Sequence, residues 1–301
     1  MRQQPDLPAA WQQLRGSLQG SGAGLFWLAV LLMPVNWSLE TWKWHLLVNR
    51  YQPLSFLQSL ESVLSGLSLS LNTPNRIGEY GGRVLYLQPG FRLKGVALSI
   101  LSSLSQLLVT LLLGWVALLV MRAPLSTAGI GTPYLSGIFF TSFQYILLFV
   151  TAGTALFYFR IHWLMHLLKW VPLVKKKLSF VLVLEEVTNG LLLRILLLSF
   201  VRFLVFAGQY LLIWYALGVT MDPWQGFWCT ALIFMVMAII PTFAIAEIGI
   251  RGQVAVTLAG MLSANMLGLV SGTVVLWLLN LVLPALVGSL FLLTLKLFQE
   301  R

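Results

Sequence analysis

Eight apolar stretches divide this chain, at about 23–42, 54–71, 95–121, 133–159, 191–218, 224–240, 252–264 and 267–298. A helix needs about 20 apolar residues to cross a bilayer, within a range of roughly 17–25. Five stretches reach that length easily, 54–71 and 224–240 are marginal, and 252–264 is short. Charged residues make up 9% of the chain and hydrophobic ones 58%, whereas a soluble domain carries about 25% charged residues. The expectation is an all-α polytopic membrane protein with six to eight transmembrane segments. The 301 residues form a single transmembrane domain, with no room for an additional soluble one.

One short motif occurs twice. Thr73–Arg83 and Pro241–Arg251 each contain Glu-x-Gly-x-Arg, and each follows a Pro/Thr break after a short apolar run. Around each copy the order is a long helix, a short one, the break, a shorter piece and another long helix. This defines repeat one at about 23–121 and repeat two at about 191–298. A linking span and an amphipathic segment occupy about 133–190. Short arms around a Pro/Gly break suit a broken or re-entrant helical hairpin, tolerated at membrane depth only where it is buried in protein or lines a wet cavity. If the short segments are hairpins, three spans separate the halves and the repeats are inverted.

Ionisable residues inside a membrane segment are costly and mark functional sites. Thr73 is placed to cap a helix and Pro74 to open it. Arg76, Glu79 and Arg83 then recur at i, i+3 and i+7 on one helical face. Gly81 and Gly82 keep bulk away, so that a backbone or a headgroup can approach. Arg76 or Arg83 can grip a phosphate with two parallel hydrogen bonds. Glu79 can pair with an arginine, accept an amine or exchange a proton. In the second copy Glu247 and Arg251 recur, while Ala244 replaces Arg76. Two readings stay open: a headgroup site, or two i,i+4 ion pairs that merely neutralise each other.

Glu61 is a further carboxylate within 54–71, facing a cavity or sitting at the interface; its repeat counterpart is Cys229. Arg202 faces a cavity or snorkels to the surface. Gln106, Gln144, Gln209 and Asn280 are expected to join helices. The substrate-binding candidates are therefore Arg76, Glu79, Arg83, Glu247, Arg251 and Glu61.

The net charge of +10 fits topology and anionic lipid better than nucleic acid, because the basic residues sit mostly at segment ends. Residues 160–177, with Arg160, Lys169 and Lys175–Lys177 beside Trp163 and Trp170, read as a cytoplasmic interfacial segment. The C-terminus is expected on the same side, and no cleavable signal peptide is evident. His162 and His166 have metal-ligand spacing but no carboxylate or cysteine companion, so no metal or other cofactor is expected. No phosphate-binding loop for ATP and no catalytic motif is recognisable.

These residues resemble the lysylphosphatidylglycerol synthase transmembrane-domain family, also called flippase-like integral membrane proteins. The resemblance rests on Arg76-Ile77-Gly78-Glu79 through Arg83 after Pro74, on Pro241 through Glu247-Ile248-Gly249-Ile250-Arg251, and on the spacing of the spans. It implies a lipid translocase of the cell membrane. A phospholipid or polyprenyl-phosphate headgroup would pass through a polar cavity between two repeats. In well-understood members the domain is fused to a soluble aminoacyl-transferase, for which there is no room here; this argues against synthase activity. The implied partners are an anionic or phosphate-bearing lipid and a separate lipid-modifying enzyme. The alternatives are a membrane-embedded transferase acting on a lipid-linked donor, and a non-transporting partner subunit.

Overall fold

The long apolar stretches become long helices, and the short ones become shorter helices. The computed structural model describes residues 16, 20, 22–71, 73–127, 138–161, 179–241 and 244–299. The segment 162–178, which holds most of the basic stretch read as interfacial, lies outside them. Among the described residues there are eleven α-helices and no strands. They are α1 (Ala23–Val48), α2 (Phe56–Ser70), α3 (Gly78–Val84), α4 (Arg92–Val120), α5 (Arg122–Thr127), α6 (Ile138–Phe159), α7 (Asn189–Ala216), α8 (Pro223–Ile239), α9 (Ala244–Ala259), α10 (Met266–Trp277) and α11 (Leu283–Gln299). Five continuous helical stretches are long and apolar enough to cross a membrane: Ala23–Val48, Pro89–Val120, Phe140–Phe159, Asn189–Ala216 and Met266–Leu295. The protein is membrane-integral.

The chain forms two compact units, and all five long helices contribute to both. The first comprises the described residues of Met1–Asn36, Thr110–Leu147 and Leu204–Leu283; the second those of Trp37–Val109, Leu148–Phe203 and Pro284–Arg301.

In the second unit, α2 begins at a capping box. Ser55 Oγ accepts the Gln58 N–H at 3.1 Å, and Gln58 Oε1 accepts the Ser55 N–H at 2.9 Å. After α2 the chain reverses. Thr73 precedes a short 3₁₀ turn, Pro74–Arg76, and its Oγ1 accepts the Gly78 N–H at 2.8 Å, tying the start of the next helix back across that turn. Helices α2 and α3 then run antiparallel in very close contact. A Cβ on Gly82 would lie 2.5 Å from Gly66 Cα, and one on Gly78 would lie 2.4 Å from the Leu69 carbonyl. Small residues permit such approach where apolar side chains gain nothing by leaving lipid. Helix α11 packs on the same hairpin through Gly288, whose Cβ would meet the Leu64 carbonyl at 1.9 Å. Ser62 Oγ donates to the Arg83 carbonyl at 2.8 Å, and Trp44 Nε1 donates to Ser62 Oγ at 2.9 Å, tying α1 to the hairpin.

In the first unit, Asp222 caps α8 by accepting the Gln225 N–H at 3.0 Å, with Pro223 at the first helical position. Asn265 caps α10 and also donates to the Leu217 carbonyl at 3.1 Å. A π turn, Leu278–Val282, separates α10 from α11. Pro284 explains it: the ring removes the N–H that would bond the carbonyl four residues earlier. That carbonyl belongs to Asn280, whose side chain accepts from Asn36 Nδ2 at 2.9 Å.

Candidate functional site

The second unit contains a buried cluster of five charged residues from three helices. At its centre is Glu40, near the end of α1. Its Oε1 accepts from Arg83 Nη2 at 2.8 Å; its Oε2 lies 3.1 Å from both Lys43 Nζ and Arg202 Nη1. Glu79, one turn before Arg83 on α3, pairs with the same Arg83 Nη2. Arg83 is 1% exposed and Lys43 is fully buried. Glu79 and Arg202 are more open, with side chains 21% and 19% exposed. Three cations against two carboxylates leave one positive charge in excess.

Aromatic rings complete the surroundings. The Arg83 guanidinium lies 5.7 Å from the Trp44 ring centre, and that of Arg202 lies 5.5 Å from the Trp37 ring. A desolvated cation–π contact of this kind is worth about 2 kcal/mol. Arg83 Nε and Nη1 have no hydrogen-bond partner among the described residues. They are strong donors in a low-dielectric setting, where an anion is bound far more firmly than in water.

The first unit holds a smaller cluster. Arg251 Nη2 pairs with Glu247 one turn earlier on α9. Arg251 Nη1 donates to the Tyr210 hydroxyl of α7 at 3.3 Å, and Arg251 Nε has no partner among the described residues. Glu247 is buried. The clusters share a plan: each arginine binds the glutamate four residues before it and a second group on another helix. That second group is Glu40 on α1 in one unit and Tyr210 on α7 in the other.

The sequence-predicted residues are thus only partly brought together. Glu79 joins Arg83, and Glu247 joins Arg251. Arg76 does not share their helical face. It ends the 3₁₀ turn with φ at +58°, so the continuous helix expected from Thr73 is broken before Gly78. A non-glycine residue in the left-handed region costs of order 1–3 kcal/mol and persists where its surroundings fix it. Glu61 is half-buried on α2 and makes no ion pair among the described residues. Cys229 is fully buried in α8. Gly81 and Gly82 divide the role expected of both: a Cβ on Gly81 would meet nothing within 4 Å, while Gly82 is pressed against Gly66.

Glu40 and Lys43 are the residues that sequence reasoning missed, whereas Arg202, read as facing a cavity or the surface, pairs with Glu40. Lys43 looks like a loop cation after the apolar stretch 23–42, but α1 continues to Val48 and buries it. The usable signal was Glu40-Thr41-Trp42-Lys43, an i,i+3 pair within a helix-compatible run.

With this geometry in view, comparison with known proteins identifies the family. The model described as the lysylphosphatidylglycerol synthase TM region matches residues 7–290, and the chain belongs to that family. No curated protein and no solved structure matches the chain.

Proposed function

We propose that this protein is a flippase-like lipid translocase that moves a phospholipid or polyprenyl-phosphate headgroup across the cytoplasmic membrane. The observation that carries the reading is Arg83: a buried guanidinium with two donor nitrogens unmatched among the described residues, in a cluster with one excess positive charge. Arg251 repeats the arrangement with one unmatched donor. Such groups are suited to a phosphate, whose planar face of oxygens fits the guanidinium fork. Family membership supports a lipid as the source of that phosphate.

In finer detail, the chain is read as two inverted repeats with α2–α3 and α8–α9 as re-entrant hairpins. Support comes from the duplicated motif and from the shared plan of the two arginine clusters. Arg76 and Glu61 complete the proposed set of headgroup contacts. The residues around 160–177 and the C-terminus are placed on the cytoplasmic side.

The test is the paired neutral change Glu247→Gln with Arg251→Gln, in proteoliposomes carrying a fluorescent phospholipid. The paired change avoids leaving a lone buried charge, which by itself costs about 3–5 kcal/mol. The expected result is a protein that folds but moves lipid poorly. A folded double variant that moves lipid at the wild-type rate refutes a headgroup role for this half.

A further inference from the structure

We infer that a separate pocket, where the end of α1 meets the start of α7, binds a phosphate-bearing anion at the membrane boundary. The pocket measures about 390 Å³ and lies wholly within the second unit. Its lining includes His45, Asn49, Arg50, Thr188, Gly190 and Arg194. None of these belongs to either arginine–glutamate cluster, and the inference stands whether or not the protein moves lipid.

Four observations point to an anion. Arg50 and Arg194 line the pocket from different helical ends, both exposed, and neither forms an ion pair among the described residues. No carboxylate lines it, so nothing in the wall neutralises them. Asn189 and Gly190 open α7, and N–H groups in a helix's first turn have no intrahelical acceptor. They bring the positive end of a 28-residue helix dipole to the same place. Finally, a Cβ on Gly190 would meet nothing within 4 Å, so that backbone is open to a ligand.

Two guanidiniums beside N–H donors match the several oxygens of a phosphate better than the two of a carboxylate. Two crossing helices, Ala23–Val48 and Asn189–Ala216, end here, and this is the depth at which lipid headgroups lie. A lipid phosphate and a soluble phosphate have the same chemistry at this site, and the experiment separates them.

Full-length protein would be placed in phosphatidylcholine nanodiscs with and without phosphatidic acid. Retained lipid would be counted by native mass spectrometry, and inorganic pyrophosphate would be titrated in. The variants are Arg50→Gln with Arg194→Gln, and Gly190→Asp. The second favours the start of the helix through its dipole while placing a carboxylate in the pocket. Both should melt where the wild type does and bind about tenfold more weakly, the equivalent of one lost charge-assisted hydrogen bond. Retained phosphatidic acid that pyrophosphate does not displace identifies a lipid headgroup. Binding of pyrophosphate with displacement of lipid identifies a soluble phosphate. The inference is overturned if wild type binds neither probe, or if either folded variant binds as wild type does.

Discussion

Glu40 and Glu79 both bind Arg83, but their surroundings differ. Glu40 is buried against three cations, whereas Glu79 serves one and is a fifth exposed. Removing one partner of a buried pair costs about 3–5 kcal/mol, while an exposed pair is worth about 0–1 kcal/mol. Glu40→Gln should therefore lower thermal stability in detergent well beyond Glu79→Gln, because it removes the carboxylate that the fully buried Lys43 pairs with and that Arg83 and Arg202 share. Equal losses would show that Glu40 is not the organising anion. Arg83→Lys keeps the charge but lacks the planar fork and cannot serve Glu40, Glu79 and a phosphate together. It should remain folded and show impaired translocation in the same vesicle assay. These distinctions were only half legible in the sequence. Glu79–Arg83 and Glu247–Arg251 are local pairs at helical spacing, so they can be read directly. Glu40 lies 43 positions from Arg83, and only tertiary packing joins them. Trp42 and Trp44 beside Lys43 imitate an interfacial boundary, which is why a helix that runs on to Val48 looked as if it ended before Lys43.

At the level of the element, the α2–α3 hairpin holds Arg83 in place, and its geometry depends on glycine. Gly82 and Gly81 are neighbours with opposite surroundings. A methyl at Gly82 meets the Gly66 backbone, which has no flexible end to move aside. Gly82→Ala should therefore part the two helices, at the cost of about 1–3 kcal/mol usual for overpacking or more. Gly81→Ala meets nothing and removes a helix-disfavouring residue, so it should be neutral or stabilise by up to roughly 1 kcal/mol. A thermal-shift comparison checks the pair, and a Gly82→Ala protein as stable as wild type would contradict the packing described. The Pro/Gly break read from the sequence coincides with the turn between α2 and α3. That reading missed the 3₁₀ turn at Pro74–Arg76, because Thr73-Pro74 reads as an ordinary helix start. Thr73 stands before that turn, and its hydroxyl accepts the N–H of Gly78, where the α-helix begins.

For the whole molecule, the parity of crossings constrains topology more firmly than charge does. Between the basic segment near 160–177 and the C-terminus lie the long helix α7, the pair α8 and α9, and the long run α10–α11. Whether α8 and α9 both cross or both turn back, the number of crossings is even, so Lys177 and Arg301 should share a side. The N-terminal half is different. Helix α3 has only seven residues, and the Gly66–Gly82 and Leu69–Gly78 contacts bring it back along α2. If this pair is re-entrant it adds no net crossing, leaving α1, α4 and α6 between the N-terminus and Arg160. That number is odd, so on this proposal the two ends of the chain should lie on opposite sides. Arg50, Arg92, Lys94, Arg160 and Arg194 then gather on one side with the basic segment, which the positive-inside bias assigns to the cytoplasm. Reporters fused after Lys177 and after Arg301 should both read as cytoplasmic. A single cysteine at Ser17, in a Cys229→Ser background, should be labelled from outside by an impermeant maleimide. If Ser17 is protected while both fusions read cytoplasmic, α2 crosses the membrane alone, and the α2–α3 pair is not a re-entrant hairpin.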